Sequence, residues 1–209
     1  MKFNTIVLSA VAQVASAYHL FDTNLFQYVR ESTRVTKYNP IKSSSNPAVD
    51  IRDGSTADGP DIVCNQGAQK AGKTQVMTVN AGEEIRLKLA VGAKFQRPGP
   101  ALVYMSKAPG SVISYYGSGD WFKIFQEGIP KDTPNGEYVV RVEHIGVHRS
   151  HVNQPEHYVS CMQVKIQNGG SGTPSPMVKL PGAYKVTDPY ANFSIYNGKK
   201  DFPFPGPAV

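Results

Sequence analysis

Short runs in which polar and apolar side chains alternate recur along this chain. The clearest is residues 84–89, which read Glu-Ile-Arg-Leu-Lys-Leu, polar then apolar throughout. Alternation with a period of two is typical of a β-strand that buries one face. Apolar runs bounded by turn residues predict further strands at 75–79, 101–105, 121–125, 137–145 and 158–166.

No window of twelve or more residues carries a helical apolar stripe. The chain has 19 glycines and 16 prolines, which is typical of many turns. Many short strands with frequent turns favour an all-β, antiparallel sandwich over a parallel α/β sheet. Residues 42–59 and 169–181 are predicted to be loops, and the aromatic residues after the second loop predict packing against the same domain.

The first seventeen residues have the organisation of a secretory signal peptide. Lys2 supplies a positive charge, residues 6–12 are apolar, and Ala15-Ser16-Ala17 places small residues before the cut. The alternative is a short N-terminal core strand. We therefore expect a secreted protein with a signal peptide at 1–17 and a single domain at 18–209.

Composition narrows the partners further. Forty per cent of the residues are hydrophobic, which excludes a disordered chain, and the net charge is +6. The basic residues are scattered and form no block of like charge, so nucleic acid is not an expected partner. No apolar stretch reaches the length of a membrane span, so no membrane partner is expected either. Nothing in the sequence demands more than a monomer.

The chain has two cysteines, Cys64 and Cys161. In a secreted chain, two cysteines most simply form one disulfide, here closing a loop of 97 residues. The alternative is a pair of buried free thiols.

The histidines do not by themselves predict a metal site. His144 and His148 would meet on a helix, but on a strand they are about 13 Å apart at 3.3 Å per residue. One metal ion could not use both there. No Gly-rich phosphate loop or nucleophile elbow is present, and no spacing singles out a carboxylate pair for glycoside hydrolysis.

Two further kinds of surface site are candidates. Tyr115, Tyr116, Tyr190 and Tyr196 could stack on sugar rings if they are exposed, with Tyr190 as the candidate substrate-binding residue. The alternative is that most of them belong to the core. Asn192-Phe193-Ser194 is a glycosylation sequon, and it falls in a predicted strand.

Ordered blocks over nearly the whole chain after residue 17 resemble one family. They are Phe26–Arg30, Asp61–Asn65, Pro98–Lys107, Trp121–Ile124, Gly136–His148, Tyr158–Cys161, Leu180–Lys185, Thr187–Pro189 and Pro205–Val209. In these blocks the chain resembles the fungal lytic polysaccharide monooxygenases of auxiliary activity family nine, formerly glycoside hydrolase family sixty-one.

The resemblance implies an immunoglobulin-like, two-sheet β-sandwich with long loops. It implies copper as cofactor and oxidative cleavage of cellulose or a related β-1,4-glucan with O2 or H2O2 and an electron donor. The bridged cysteines of the family match Cys64 and Cys161.

Copper in the family is held by an N-terminal histidine and a second histidine, with a tyrosine on the axis. By resemblance the axial tyrosine is Tyr158 and an outer-sphere histidine is His148, while Glu156 stands where the family has a glutamine. Arg97 stands at the second histidine position, and an arginine cannot be a ligand. His19 is the remaining candidate ligand.

Two other departures bear on function. Cleavage after residue 17 exposes Tyr18 rather than His19, and the family carries a further strand and loop between Gly128 and Ile129 that this chain lacks. The resemblance predicts a copper monooxygenase with His19, His148 and Tyr158 in the site. Arg97, Glu156 and Tyr18 favour the alternative, a non-catalytic secreted protein that binds a wall polysaccharide or another partner.

Overall fold

The computed structural model describes residues 26–30, 41–42, 59–85, 97–124, 129–199 and 201–209. Secondary structure in these residues consists of strands and 3-10 turns only. The strands are β1 (Ile41–Lys42), β2 (Met77–Asn80), β3 (Ala101–Lys107), β4 (Trp121–Lys123), β5 (Gly136–Gly146), β6 (Glu156–Gln167) and β7 (Met177–Val178). The 3-10 turns are Phe26–Tyr28, Pro60–Ile62, Val112–Ser114, Ser150–Val152 and Pro189–Asn192. The predicted all-β class is therefore confirmed, and none of the described helices is long and apolar enough to cross a membrane.

The strands form one seven-stranded sheet in the order β1-β6-β5-β3-β4-β7. Its centre is the antiparallel pair of β5 and β6, in register from Gly136 opposite Ile166 to Gly146 opposite Glu156. Strand β2 also pairs with β6, but in parallel. The sheet is thus antiparallel apart from this one pair, which the alternation of residue types did not predict.

Both faces of the sheet are buried. Successive residues of a strand point to opposite faces, and in β5 Val139 belongs to one apolar cluster while Tyr138 and Val140 belong to the other. The first cluster contains Leu102, Trp121 and Val159, and the second contains Met105, Phe122 and Val164. Apolar side chains on both faces explain why residues 101–105 read as a continuous apolar run rather than as an alternation.

The predicted strands agree with the structure to within two or three residues, except for the strand predicted at 84–89. The strand predicted at 84–89 lies mostly outside the described residues, and its described positions 84 and 85 are not in a strand. The loop predicted at 169–181 contains the short strand β7, which pairs with β4 at the sheet edge.

Cys64 and Cys161 form a disulfide, as predicted, and the described residues contain no free cysteine. It joins the segment after the Pro60–Ile62 turn to the middle of β6. Closing a loop of 97 residues contributes about 4–5 kcal/mol to stability in the chain-entropy model. The bridge holds the segment around Cys64 against the first apolar cluster.

Candidate functional site

The predicted site residues meet at one end of the sheet, where β3 and β6 begin and β5 ends. Glu156 and Tyr158 are two residues apart on β6, so they point to the same face, while His157 points to the other. His148 follows the end of β5 by two residues. The sheet geometry therefore brings Tyr158, Glu156 and His148 together.

Glu156 lies between the other two side chains. The Tyr158 hydroxyl donates a hydrogen bond of 2.6 Å to Glu156 Oε2, and His148 Nε2 lies 3.7 Å from Glu156 Oε1. The side chains of His148 and Glu156 are only 13% and 12% exposed. Burial, followed by the charge of Glu156, raises the pKa of Tyr158 well above its usual range, so the phenol is neutral at ordinary pH.

The backbone of Arg97 is held at the same end of the sheet, the Tyr158 corner. Its carbonyl oxygen accepts a hydrogen bond of 2.9 Å from His144 Nε2, and Pro98 O and Pro100 O accept bonds from the amides of Val147 and Ile145. The Arg97 side chain is exposed, and its positive charge acts to lower the pKa of Tyr158. Arg97 therefore places a cation beside Tyr158.

Gly99 is required for this approach. Its φ is +155°, and a Cβ built on it would lie 1.7 Å from Ile145 O. No other residue could let the segment before β3 approach the end of β5 so closely. The glycine therefore determines where Arg97 sits.

His144 has a structural role here. Burial lowers its pKa to about 4, so the ring is neutral and can donate to Arg97 O. Its ring stacks on Tyr158 with centroids 6.1 Å apart. His144 thus links the two positions that the resemblance assigns to copper ligands.

The described residues include only part of the ligand set that the resemblance assigns to copper. They contain no group of three or more His, Cys, Asp or Glu side chains that could hold a metal ion. A guanidinium stays protonated and cannot coordinate a metal. Tyr18 and His19, the N-terminal candidates, lie outside the described residues.

A charged network that the sequence did not reveal lies on the opposite face of β5 and β6. Arg141 forms a bidentate ion pair with Glu143, at 2.8 and 3.0 Å, and its Nε donates to the carbonyls of Ile62 and Val63. His157 Nδ1 donates to Glu143 Oε1 at 2.7 Å. All three charged or polar side chains are fully buried.

The electrostatics of this network are self-compensating. Burial alone would raise the pKa of Glu143, but Arg141 and His157 hold it well below its usual range. The Tyr184 hydroxyl also donates to Glu143, and its ring stacks on His157. The signal in the sequence was a pair of charged residues two apart, Arg141 and Glu143, within an otherwise apolar strand.

Of the four tyrosines considered for sugar stacking, two are buried and two are exposed. Tyr190 is 2% exposed and packs edge-on against His157, so the prediction of an exposed, sugar-stacking Tyr190 is wrong. Tyr115 is also buried, because its hydroxyl bonds to Ser106 and to the Gly119 amide. Tyr116 and Tyr196 are exposed, at 52% and 69%.

The sequon residue Asn192 is exposed but lies at the end of a 3-10 turn, so the predicted strand there is wrong. Its side-chain amide donates to the carbonyls of Val186 and Asp188, at 3.0 and 3.1 Å. These bonds close the turn.

A cleft of about 500 Å³ lies between residues 178–190 and the C-terminal segment at 204–207. Phe204, three prolines, Lys185 and Asp188 are among its lining residues, and the Phe204 side chain is 53% exposed. Aromatic and proline surfaces beside charged side chains are a common setting for sugar binding.

Comparison with known proteins gives a consistent result. A family model described as Auxiliary Activity family 9 (formerly GH61) matches residues 11–129 and 127–203. The chain is 47% identical to AA9 family lytic polysaccharide monooxygenase D of Aspergillus tamarii, over all of this chain and 86% of that protein. It is 46% identical to AA9 family lytic polysaccharide monooxygenase A of Aspergillus fumigatus, over all of this chain and 82% of that protein.

Solved structures show the same fold. The crystal structure of HiLPMO9B is 28% identical with a TM-score of 0.69, covering 87% of this chain and 86% of that one. A cellulose-active polysaccharide monooxygenase from M. thermophila shares the fold at 24% identity, with a TM-score of 0.69. These matches confirm the predicted β-sandwich.

The alignments also agree with the expected internal gap. The two segments matched by the family model meet at residues 127–129. The alignment to the A. tamarii relative is 242 positions long, which exceeds the 209 residues of this chain by 33. The break in the family-model match lies next to Gly128 and Ile129, and the alignment length shows that the relative has 33 aligned positions with no residue of this chain opposite them.

Proposed function

Because this chain belongs to Auxiliary Activity family 9, we propose that it acts outside the cell on cellulose or a related β-1,4-glucan, as a divergent lytic polysaccharide monooxygenase whose copper site is impaired. The family is associated with copper-dependent oxidative cleavage of polysaccharides. Residues 1–17 would be removed as a signal peptide, and residues 18–209 would act as one monomeric domain.

The position of Arg97 carries the proposal. His144 ties the Arg97 backbone to the end of β5, and the positive charge of Arg97 is close enough to Tyr158 to act on the pKa of the phenol. A cation at the position that the resemblance assigns to a copper ligand repels a divalent ion and supplies no lone pair. Copper would then have His19 and Tyr158 as its candidate ligands, with His148 beside them.

Residual copper activity is favoured by one observation. Tyr158, Glu156 and His148 keep a connected arrangement at the corner, with the phenol protonated. In this version His19 and Tyr158 would hold copper, which would supply the oxidative chemistry, and His148 would orient the oxidant. Glu156, in place of the family glutamine, adds a carboxylate to the outer sphere.

The alternative function is non-catalytic binding of a wall polysaccharide. Arg97, at the Tyr158 corner, favours this alternative. The cleft at residues 204–207 offers a surface for sugar away from that corner. Phe204 would contact the apolar face of a sugar ring, and Lys185 and Asp188 would bond its hydroxyls.

Cu(II) titration of the protein secreted by a filamentous fungus, with sequencing of its N-terminus and EPR, tests the proposal. We expect weak binding, with the EPR spectrum of copper held only by groups at the N-terminus. We also expect few or no oxidised oligosaccharides from cellulose with ascorbate. Tight one-to-one binding with abundant oxidised products would show instead that Arg97 does not impair the site.

Cellulose pull-down tests whether the cleft is the binding surface of the alternative function. In the alternative, Phe204→Ala weakens retention on cellulose, while Ile113→Ala, at another exposed apolar residue, leaves it unchanged. Equal retention by both variants would exclude the cleft as the binding surface.

A further inference from the structure

A row of three hydroxyl-bearing side chains stands on the surface just before the sheet edge. After β6 ends at Gln167, residues 169–175 run outside any helix or strand. Within them Ser171, Thr173 and Ser175 are exposed, whereas the intervening residues 172 and 174 are half-buried. This alternation means that the segment is extended, with its hydroxyls outward and its glycine and proline inward.

The inward side of this segment is attached to the loop at residues 130–135. The Gly172 amide donates to Asp132 O, and the Gly169 amide donates to Asn135 Oδ1, both at 2.8 Å. A Cβ on Gly172 would lie 2.7 Å from Asp132 O, so the contact is too close for a larger residue. The hydroxyl row is therefore presented to solvent by a backbone that is held in place.

Prolines follow two of the hydroxyl residues, in the order Thr173-Pro174-Ser175-Pro176. A proline fixes its own φ and biases the preceding residue to extended backbone, so neither acceptor can fold back into a helix. Ser, Thr and Pro in close succession are the composition of O-glycosylated segments in secreted proteins. A transferase can reach an extended, exposed segment of this kind without unfolding the domain.

Two other exposed serines in the described part of the chain, Ser111 and Ser114, lack these features. The Ser111 side chain accepts from the Ile113 amide, and the Ser114 hydroxyl donates to Ser111 O. Both belong to a 3-10 turn, and their oxygens are engaged in closing it. They provide a matched comparison of the same residue type with similar exposure.

We infer that Ser171, Thr173 and Ser175 are acceptors for O-linked glycans. The inference rests on the proposed secretion, since the transferase and a phosphate-activated sugar donor are met in the secretory pathway. A bond forms between the side-chain oxygen and the anomeric carbon, and the bond from that carbon to the donor phosphate breaks. The hydroxyl proton passes to a base of the transferase, and the phosphate leaves with the electron pair.

The position gives the glycans a physical consequence. The segment leads directly into β7, which forms the end of the sheet order, and the Met177 side chain there is 43% exposed. Unprotected sheet edges are where chains associate edge to edge. Sugars on residues 171–175 would stand beside this edge and hinder a second chain from pairing with it.

The test uses two expressions of the chain in a filamentous fungus, one with its own N-terminus and one behind a leader peptide of the host. The first reports on secretion, and the second delivers the domain to the glycosylation machinery whatever the first shows. After enzymatic removal of N-linked glycans, intact mass and electron-transfer fragmentation locate any remaining sugar.

We expect increments of whole hexose units on residues 171–175, and their loss in the variant with Ser171→Ala, Thr173→Ala and Ser175→Ala. The matched variant with Ser111→Ala and Ser114→Ala keeps them. Unmodified protein from the second expression would overturn the inference, as would phosphate increments at these residues or hexose that persists in the triple variant.

Discussion

The carbonyl oxygen of Arg97 lies 2.9 Å from His144 Nε2, and the same histidine ring stacks on Tyr158. This relationship fixes the backbone of residue 97 at the Tyr158 corner, whatever side chain stands at position 97. A substitution there can therefore change the chemistry of the corner without moving it.

Arg97→His is expected to strengthen Cu(II) binding by about 10-fold or more, because it removes a cation and supplies an imidazole. Isothermal titration on the processed protein measures the change. Arg97→Ala is the control, since it removes the charge without adding a ligand and should gain less. Equal affinity in all three proteins would show that position 97 does not face the metal.

The buried pair of Arg141 and Glu143 predicts a large loss of stability when one partner is removed. Arg141→Met leaves the buried Glu143 carboxylate with His157 and Tyr184 but without its arginine, at a cost of about 3–5 kcal/mol in the free energy of unfolding. Urea denaturation measures it. Lys165→Met, at an exposed position of β6, should change that free energy by no more than about 0.5 kcal/mol.

The outcome of the double variant identifies the cause. If Arg141→Met and Glu143→Met together restore part of the lost stability, the loss came from the unpaired charge rather than from the changed shape. A double variant less stable than Arg141→Met would contradict this explanation.

Acid should destabilise the protein in two ranges. His144, with a folded pKa of about 4, is neutral in the fold but binds a proton near pH 6.5 when unfolded, so stability is lost as the pH falls from about 6.5 to 4. Glu143 has a lowered pKa in the fold, so its contribution is present above about pH 4.3 and is lost below it.

Thermal midpoints between pH 7 and 3 measure both ranges. His144→Gln, which can still donate to Arg97 O, should flatten the curve above pH 4 and leave the lower range unchanged. A wild-type midpoint that is constant from pH 7 to 4 would be inconsistent with a neutral, buried His144.

Gly99→Ala is expected to displace the segment that carries Arg97, because its Cβ would collide with Ile145 O. A positive φ of +155° adds backbone strain, so we expect a destabilisation of more than about 1 kcal/mol. Gly110→Ala, where no atom lies within 4 Å of the added Cβ, is the matched control. Denaturation midpoints of the two variants that coincide would show that the contact at Gly99 can relax without cost.

The elements of this fold that depend on local pattern could be predicted from the order of residue types. Alternation and short apolar runs located the central strands β3, β5 and β6, because side-chain direction along a strand follows from position alone. The cysteine count predicted the bridge between Cys64 and Cys161, because two thiols in a secreted chain have only one intramolecular pairing. The ordered family blocks identified the family that the comparisons show.

Which side chains are buried together became evident from the folded arrangement. It moved Tyr190 from a candidate sugar surface to the core, where it packs on His157, and it joined Arg141, Glu143 and His157 into one network. It also showed that His144 holds Arg97 in place. These relationships join residues from different strands and loops, and residue type alone does not reveal them because burial and charge pairing depend on the register between strands.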